Sequence, residues 1–241
     1  MSLPVAILVG GLATRLRPLT EKIPKALIEV NDQPFLAHQL RLLASSGITD
    51  IVICAWYQAE KIRDFARDGK QFGLNIKYSF DGDQPLGTGG ALKKALPLLG
   101  EAFFILYGDS FLPCDYQSVE MAFTTCHKDG LMTVYRNRDL GDKSNVNFEK
   151  GKILAYDKLN RSAKMDYIDY GLGVIKASVL AGYPAHETFD LAQVYQNLLS
   201  QSQLAGYEVK TRFYEVGSFS GIKELEEYLK KKEGKNNDRI H

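Results

Sequence analysis

The chain has 241 residues, of which 45% are hydrophobic and 24% charged, a composition typical of globular domains that excludes disordered, collagen-like and membrane-spanning classes. Its 30 basic and 29 acidic residues give a formal net charge of +1, so the chain lacks the basic excess of nucleic-acid-binding and membrane-surface proteins. We therefore expect neither nucleic acid nor a membrane among its partners.

The length and the cysteines indicate one cytoplasmic domain. An α/β domain commonly reaches about 250 residues, so we predict a single domain over residues 1–232, followed by a polar tail over residues 233–241. Cys54, Cys114 and Cys126 form neither an even set nor a metal-binding pair, which favours reduced thiols in the cytoplasm. The apolar start has no basic n-region and is too short to span a bilayer, so we expect a buried strand there.

The first half of the chain alternates apolar runs of strand length with segments of helical period. This pattern predicts an α/β fold with a doubly wound, Rossmann-like, mainly parallel sheet and helices on both faces. The predicted strands are Val5–Val9, Asp50–Trp56, Asn75–Phe80 and Phe103–Tyr107. The predicted helices are one that starts at Pro34 and ends by Gly47, then Ala59–Arg67 and Gly90–Leu99.

The second half is richer in strand-like segments, beginning after Gly130. Alternating apolar and polar residues with a turn signal between runs predict β-structure. The predicted strands are Leu131–Arg136, Asn145–Phe148, Ile153–Lys158, Tyr167–Lys176 and Glu208–Val216. The predicted helices are Leu191–Leu199 and Ile222–Lys232.

A loop rich in glycine and cations follows the first predicted strand. Gly10 and Gly11, here called the glycine turn, let the backbone approach a ligand closely, and successive N–H groups in such a turn form a concavity for anions. Arg15 can grip phosphate oxygens with its bidentate fork, and Lys25 supplies a compact positive charge. A tight turn with two solvated cations is the favoured alternative for a bare Gly-Gly pair, but not for the whole string. The loop therefore predicts a phosphate-binding site.

Two better-known glycine-rich sites do not fit the sequence. A P-loop ends in Gly-Lys followed by Ser or Thr, whereas this loop continues Ala13-Thr14-Arg15. A dinucleotide-binding fingerprint follows a strand, whereas Gly171–Lys176 contains only its first half and lies inside a β-rich run.

Four motifs in order resemble the signature of the sugar-phosphate nucleotidylyltransferases. They are Gly10–Thr20 with Pro24-Lys25, then Pro85–Gly90, Gly108–Ser110 and Phe213–Ser218, and the resemblance extends from the first strand to about residue 230. It implies an enzyme that transfers a nucleotidyl group from a nucleoside triphosphate to a sugar 1-phosphate, uses Mg²⁺ and releases pyrophosphate. It also implies that residues 1–130 bind mainly the nucleotide and residues 131–220 mainly the sugar phosphate.

The resemblance assigns residues to the nucleotide and to catalysis. Residues 87–90 open a helix, and their free N–H groups and missing Cβ atoms suit a wall for the base and ribose; a turn chosen only for tight packing is the alternative. The expected nucleotide-binding residues are Leu8, Gly10, Gly11, Thr14, Arg15, Lys25, Pro85, Gly87, Thr88, Gly89 and Gly108. The expected catalytic residues are Arg15, Lys25 and Asp109.

Two carboxylates are the expected metal ligands. Asp109 follows an apolar strand and a glycine, which puts a hard oxygen ligand for magnesium at the carboxyl edge of a parallel sheet; a helix cap is the alternative. The resemblance implies that Glu215 is the second ligand. Many relatives carry Asp there and Thr at the position of Ser218, so the chain departs twice, and a solvated edge carboxylate is the alternative for Glu215.

For the sugar phosphate, the resemblance points to two segments. Asp157-Lys158 is similar to the family's acidic-Lys pair, in which the lysine would hold the attacking phosphate. Asp169 would be available for sugar hydroxyls, and Gly171 would let the sugar ring approach. The four histidines show neither metal nor triad spacing and are interpreted as structural or surface residues: His38, His127, His186 and His241.

The resemblance narrows the substrates without fixing them. The motif Pro85–Gly90 is most similar to that of small guanylyltransferases acting on manno-configured sugars, and Tyr214–Ser218 resembles those acting on heptose 1-phosphate in polysaccharide biosynthesis. GTP with heptose or mannose 1-phosphate is therefore favoured. Uridylyl or thymidylyl transfer to another hexose 1-phosphate, and a non-catalytic nucleotide-sensing role, are the alternatives; a nicotinamide oxidoreductase is more distant. Homo-oligomers are left open.

Overall fold

The computed structural model describes residues 2–11, 16–137, 143–184 and 187–237. The strands are β1 (Val5–Val9), β2 (Glu29–Val30), β3 (Gln33–Pro34), β4 (Asp50–Ala55), β5 (Asn75–Phe80), β6 (Ala102–Tyr107), β7 (Ser110–Phe111), β8 (Gly130–Arg136), β9 (Val146–Glu149), β10 (Lys152–Tyr156), β11 (Tyr167–Lys176), β12 (Leu204–Val209) and β13 (Tyr214–Glu215). The α-helices are α1 (Leu19–Lys22), α2 (Phe35–Ser45), α3 (Ala59–Ala66), α4 (Gly87–Ala95), α5 (Tyr116–Cys126), α6 (Leu191–Ser200) and α7 (Phe219–Asn237).

Four neighbouring strands of the nine-stranded sheet are parallel, in the order β6-β1-β4-β5. Every residue of β1 is buried, which explains its uninterrupted apolar sequence, because a central parallel strand is covered on both faces. One core cluster contains residues of α2, α3 and α5, and a second contains residues of α4 and α6. The α/β fold predicted from the sequence is confirmed.

The sheet changes character at β11. This strand runs antiparallel to β6 and also pairs with β8 and β9, while β12 pairs with β8 and β10 pairs with β9. The register of β11 on β8 shifts between Asp169 and Gly173, and Gly171 within this irregularity has φ of +96°. The antiparallel strands of the second half therefore extend the sheet directly from the last parallel strand.

The structure corrects three element predictions. The predicted strand Glu208–Val216 is wrong, because β12 begins at Leu204 and ends at Val209, and only Tyr214 and Glu215 pair again, with β7. Helix α4 begins at Gly87, three residues earlier than predicted. Helix α7 extends beyond both predicted ends and includes five residues of the predicted tail, 233–237.

Helix α5 was not predicted. Its apolar residues Tyr116, Val119 and Phe123 follow helical spacing and are buried, and the carboxylate of Asp115 caps the helix by accepting from the N–H of Ser118. None of the described helices is both long and apolar enough to cross a membrane.

Candidate active site

A cavity of about 300 Å³, here called the nucleotide cavity after the ligand that the sequence predicts, lies where the parallel strands end. Open α/β sheets place their ligands at this edge. Nine residues singled out in the sequence line it: Leu8, Gly10, Gly11, Lys25, Pro85, Gly87, Thr88, Gly108 and Asp109. Six lining residues were not singled out: Val9, Ala26, Cys54, Asp81, Ala91 and Tyr107. Thr14 and Arg15, together with Ala13, His186 and His241, lie outside the described residues.

The glycine turn leaves open space beside the cavity. A Cβ added at Gly11 would meet nothing within 4 Å, and one added at Gly10 would make only ordinary contacts with Trp56, the nearest at 3.6 Å. Gly108 has a different reason to be glycine, because a Cβ there would clash with the side chain of Val9. Its N–H donates to the carbonyl of Leu8 at 2.9 Å, so close packing on β1 brings the following residue, Asp109, to the cavity.

Lys25 and Asp109 meet at the cavity. Lys25 begins a short 3₁₀ helix that follows Pro24, and its Nζ donates to Oδ2 of Asp109 at 2.7 Å. The hydroxyl of Ser110 donates to the other carboxylate oxygen at 3.2 Å. The two charged groups that the sequence assigned to phosphate and metal are thus in direct contact.

Glu215 lies beside Asp109 but lines a second cavity, of about 470 Å³. It pairs with Ser110 across β7 and β13, and the N–H of Val216 donates to the carbonyl of Asp109 at 3.0 Å. The Glu215 carboxylate accepts from the N–H of Gly217 and from the hydroxyl of Ser218. A Cβ added at Gly217 would lie 2.5 Å from Glu215 Oε2 and 2.8 Å from Lys25 Nζ, so both charged groups approach this glycine closely.

These carboxylates fit a hard cation that is bound together with a phosphorylated substrate. A carboxylate has about four acceptor sites, so the bonds described leave capacity on both Asp109 and Glu215. Within the described part of the chain, no three His, Cys, Asp or Glu residues are grouped to hold a metal ion. Magnesium seldom needs such a cage, because it usually takes one or two carboxylates, water and substrate phosphates.

The glycines at the start of α4 divide between the cavity and packing. Gly87, with φ of +71°, and Thr88 line the nucleotide cavity. Gly89 is buried against Phe189, since a Cβ would clash with the phenyl ring, and the N–H groups of Gly89 and Gly90 point to the carbonyl of Phe189 at 2.9 and 3.4 Å. The tight-packing alternative therefore describes the surroundings of these last two glycines, and nucleotide binding by Gly89 stays a prediction.

Asp81 is a carboxylate of the cavity that sequence reasoning missed. It follows β5 as Asp109 follows β6, and its Oδ2 accepts from the N–H of Leu86 at 2.9 Å. Burial raises the pKa of Asp81, against the opposing hydrogen bond and the charge of Lys94. Burial, and secondarily the charge of Asp81, raise the pKa of the Cys54 thiol, which keeps it neutral. A carboxylate directly after a predicted strand is the signal that could have revealed Asp81.

Two of the four expected sugar-phosphate residues, Lys158 and Gly171, lie against Tyr107, and a third, Asp169, is bonded to Gly171. The Nζ of Lys158 lies over the Tyr107 ring, 5.5 Å from the centroid, and a Cβ at Gly171 would lie 3.6 Å from its Cδ2. Asp169 is half-buried and accepts from the N–H of Gly171 at 3.0 Å and the hydroxyl of Tyr156 at 3.4 Å. Burial raises the pKa of Asp169, although the charge of Lys158 opposes the shift.

The side chain of Asp157 is used in its own turn. Its carboxylate accepts from the N–H groups of Asn160, at 2.9 Å, and Leu159, at 2.8 Å. These bonds lower the pKa of Asp157, and the bond from Asn160 makes the largest contribution. The described histidines agree with a structural or surface position: His38 bonds the carbonyl of Val30 at 2.8 Å, and His127 is exposed at the end of α5.

Residues 5–142 match the family model described as nucleotidyl transferase. The mannose-1-phosphate guanyltransferase of Aspergillus fumigatus is 31% identical over 220 residues, which cover 88% of this chain and 60% of that protein. The Saccharomyces cerevisiae protein of the same name is 42% identical over 120 residues, which cover 48% of this chain and 32% of that protein. The chain thus spans about three fifths of the length of the curated relatives that it matches most fully.

Two solved structures have a similar fold. A Bacillus anthracis protein assigned as a glucose-1-phosphate thymidylyltransferase, in complex with a sucrose, gives a TM-score of 0.84 at 20% identity, over 94% of this chain and 95% of that one. HddC from Yersinia pseudotuberculosis, complexed with GMP-PN, gives a TM-score of 0.79 at 21% identity. The match covers 94% of this chain and 99% of that one. At these identities the likeness establishes the fold.

Proposed function

Because the chain belongs to the nucleotidyl transferase family, we propose that it transfers a nucleotidyl group from a nucleoside triphosphate to a sugar 1-phosphate and releases pyrophosphate. The observation that carries this proposal is the contact of Lys25 with Asp109 beside the glycine turn, in one cavity at the carboxyl edge of the sheet. Residues 1–130 would bind mainly the nucleotide, residues 131–220 mainly the sugar phosphate, within one domain over residues 1–232.

The reaction needs two anions brought together more than it needs a base. A sugar phosphate is already ionised at neutral pH, so one of its oxygens can attack the α-phosphorus in line while the bond to the bridging oxygen of pyrophosphate breaks. Lys25 would neutralise charge at the α-phosphate, and Arg15 with the glycine turn would hold the departing pyrophosphate. Lys158 would hold the attacking phosphate. No covalent enzyme intermediate is required.

Asp109 and Glu215 would hold the magnesium ion. The backbone segments that carry them are held together by the pairing of β7 with β13 and by the bond from the N–H of Val216 to the carbonyl of Asp109. Magnesium, when bound, neutralises negative charge on the phosphate oxygens.

Guanine is the base that the cavity suits best. Strands β6 and β5 flank the parallel run, so Asp109 and Asp81 lie at its opposite ends, and a triphosphate held near Lys25 directs its base toward Asp81. An ionised carboxylate only accepts hydrogen bonds, and guanine offers two adjacent donors, N1–H and the 2-amino group. Uracil and thymine offer a single N–H between two carbonyls. The names of the guanyltransferase relatives and the GMP-PN bound to HddC support the same choice.

Mannose or heptose 1-phosphate is the favoured acceptor. The names of the relatives support a mannose derivative, and the motif Tyr214–Ser218 supports a heptose. Uridylyl or thymidylyl transfer is the alternative that shares most of the site.

The three cysteines are unpaired, which supports a cytoplasmic setting: Cys54, Cys114 and Cys126.

A substrate panel tests the proposal. Purified protein with magnesium would be given GTP, UTP, dTTP or ATP with mannose, glucose, N-acetylglucosamine or heptose 1-phosphate, and pyrophosphate release would be measured. We expect the highest kcat/KM with GTP and a manno-configured sugar. Binding of GTP without pyrophosphate release from any pair would instead support a nucleotide-sensing role.

A further inference from the structure

Tyr107 stands at the boundary between the two expected substrate sites. It is the last residue of β6, it precedes Gly108 and Asp109, and it is one of the residues that line the nucleotide cavity. Lys158, from the second half of the chain, places its Nζ 5.5 Å from the centre of the Tyr107 ring. One residue therefore borders the nucleotide cavity and has its ring beside the lysine expected to hold the acceptor.

The ring is fixed where it stands. In the antiparallel ladder of β11 on β6, Leu172 pairs with Leu106, so Gly171 lies beside Tyr107. A Cβ at Gly171 would lie 3.6 Å from Cδ2 of the ring, an ordinary van der Waals contact, so β11 packs directly against the ring. The φ of +96° at Gly171 favours glycine at this position.

A second group attracts Lys158 toward the same place. The half-buried carboxylate of Asp169 is held by the N–H of Gly171 and the hydroxyl of Tyr156, and the charge of Lys158 favours its ionised form. A free lysine loses much rotamer freedom when it is held in one position. An aromatic face and a fixed negative charge that act on one ammonium group reduce that freedom before a substrate arrives.

We propose that Tyr107 is a positioning residue, whose ring face holds the ammonium group of Lys158 against the boundary of the nucleotide cavity, so that it meets the phosphate of the sugar 1-phosphate beside the α-phosphate. This inference rests on the proposed function. The ring, and not the hydroxyl, carries this role, because the Tyr107 hydroxyl is buried without a hydrogen-bond partner among the described residues.

The absence of a partner for the hydroxyl makes phenylalanine a matched control. Removing an unsatisfied buried polar group costs little, while the aromatic face is kept. We expect Tyr107→Leu to raise the KM for the sugar 1-phosphate about tenfold more than it raises the KM for the triphosphate. Tyr107→Phe should bring the KM for the sugar 1-phosphate back to within about threefold of wild type.

A double-mutant cycle tests whether Tyr107 acts through Lys158. If it does, Tyr107→Leu has no further effect on the KM for the sugar 1-phosphate once Lys158 is alanine. A ring that serves only as a wall of the cavity would raise this KM equally in both backgrounds, which would overturn the inference. If Tyr107→Leu does not fold, Tyr107→Met gives the same comparison.

The assay uses the triphosphate and sugar 1-phosphate that react fastest with the wild-type chain, and circular dichroism confirms that each variant is folded. No pyrophosphate release by the wild type with any pair would mean that the proposed function itself is wrong. An active wild type whose KM for the sugar 1-phosphate is unaffected by Tyr107→Leu would overturn the positioning role alone.

Discussion

The ammonium nitrogen of Lys25 lies 2.7 Å from Oδ2 of Asp109, although the two residues are 84 positions apart in the chain. Their side chains remain 19% and 39% exposed, so the ion pair contributes only about 0–1 kcal/mol to the free energy of unfolding. Its importance is chemical, because it places a cation and a carboxylate beside the turn where phosphates are expected.

Asp109→Asn tests the catalytic role of this pair. The change keeps the shape of the side chain but removes its charge, so we expect the protein to fold and kcat with magnesium to fall on the order of 1,000-fold. Pyrophosphate release gives the rate, and chemical denaturation gives the stability. The control is Asp50→Asn, an exposed carboxylate at the start of β4, which should leave kcat unchanged. A near wild-type rate for Asp109→Asn would remove the metal role assigned to this residue.

Asp81→Asn tests the recognition of guanine. Inosine triphosphate lacks the 2-amino group, so the wild-type chain should prefer GTP over it by about 10-fold to 100-fold in kcat/KM, the range for a hydrogen bond to a charged group. The variant should lose most of this preference. Asp83→Asn is the matched control, because Asp83 is exposed in the same loop and does not line the cavity. Equal discrimination by Asp81→Asn and wild type would show that another group reads the base.

Gly89→Ala tests the packing at the start of α4. Alanine usually stabilises a helix relative to glycine, but here its Cβ would clash with the ring of Phe189. We therefore expect the free energy of unfolding to fall by about 1–2 kcal/mol, measured by denaturant titration. At Gly182 an added Cβ meets nothing within 4 Å, so Gly182→Ala should change stability by less than about 0.5 kcal/mol. Equal effects of the two changes would contradict the packing role.

Asp169→Asn tests the cost of burying a carboxylate. Because burial raises the pKa of Asp169 in the folded state, its contribution to stability is greatest at low pH and is lost as pH rises through the folded pKa. The stability of Asp169→Asn relative to wild type should therefore increase as pH rises above about 3.9, the ordinary pKa of an aspartate, measured by denaturant titration.

Asp157→Asn provides a control of opposite sign. Hydrogen bonds lower the pKa of Asp157, so its contribution is present at higher pH and is lost as pH falls through the folded pKa. The stability of this variant relative to wild type should decrease as pH rises through the acid range. The same trend in both variants would mean that neither carboxylate sets the effect.

The gathering of several predicted residues at one cavity could be foreseen from local motifs. Gly10, Lys25 and Asp109 belong to local motifs, and the ends of parallel strands meet at one edge whatever the details of packing. Asp81 escaped because an aspartate after a strand is common, and only the neighbouring positions of β4 and β5 bring it into the cavity. The four parallel strands were also predicted from local sequence, because each is a run of strand length that the sequence pattern marks.

The remaining contacts depend on residues distant in sequence. The motif Pro85–Gly90 could not reveal which glycines face a ligand, since Phe189 packs against Gly89 from the other half of the chain. Likewise, the position of Lys158 over Tyr107 depends on the pairing of β11 with β6. The late strand was misplaced because β12 is parallel to β8, a pairing that no local pattern specifies.

The antiparallel ladder between β6 and β11 fixes the distance between the two expected substrate sites. Neighbouring strands are separated by about 4.8 Å, and this spacing sets how far the end of β6 stands from Gly171. Four further strands attach beyond that ladder: β8, β9, β10 and β12. Substitutions in these strands can therefore reshape the space for the sugar without altering the distance between β6 and β11. Engineering for a different acceptor should therefore change residues of the outer strands and leave the pairing of β6 with β11 unchanged.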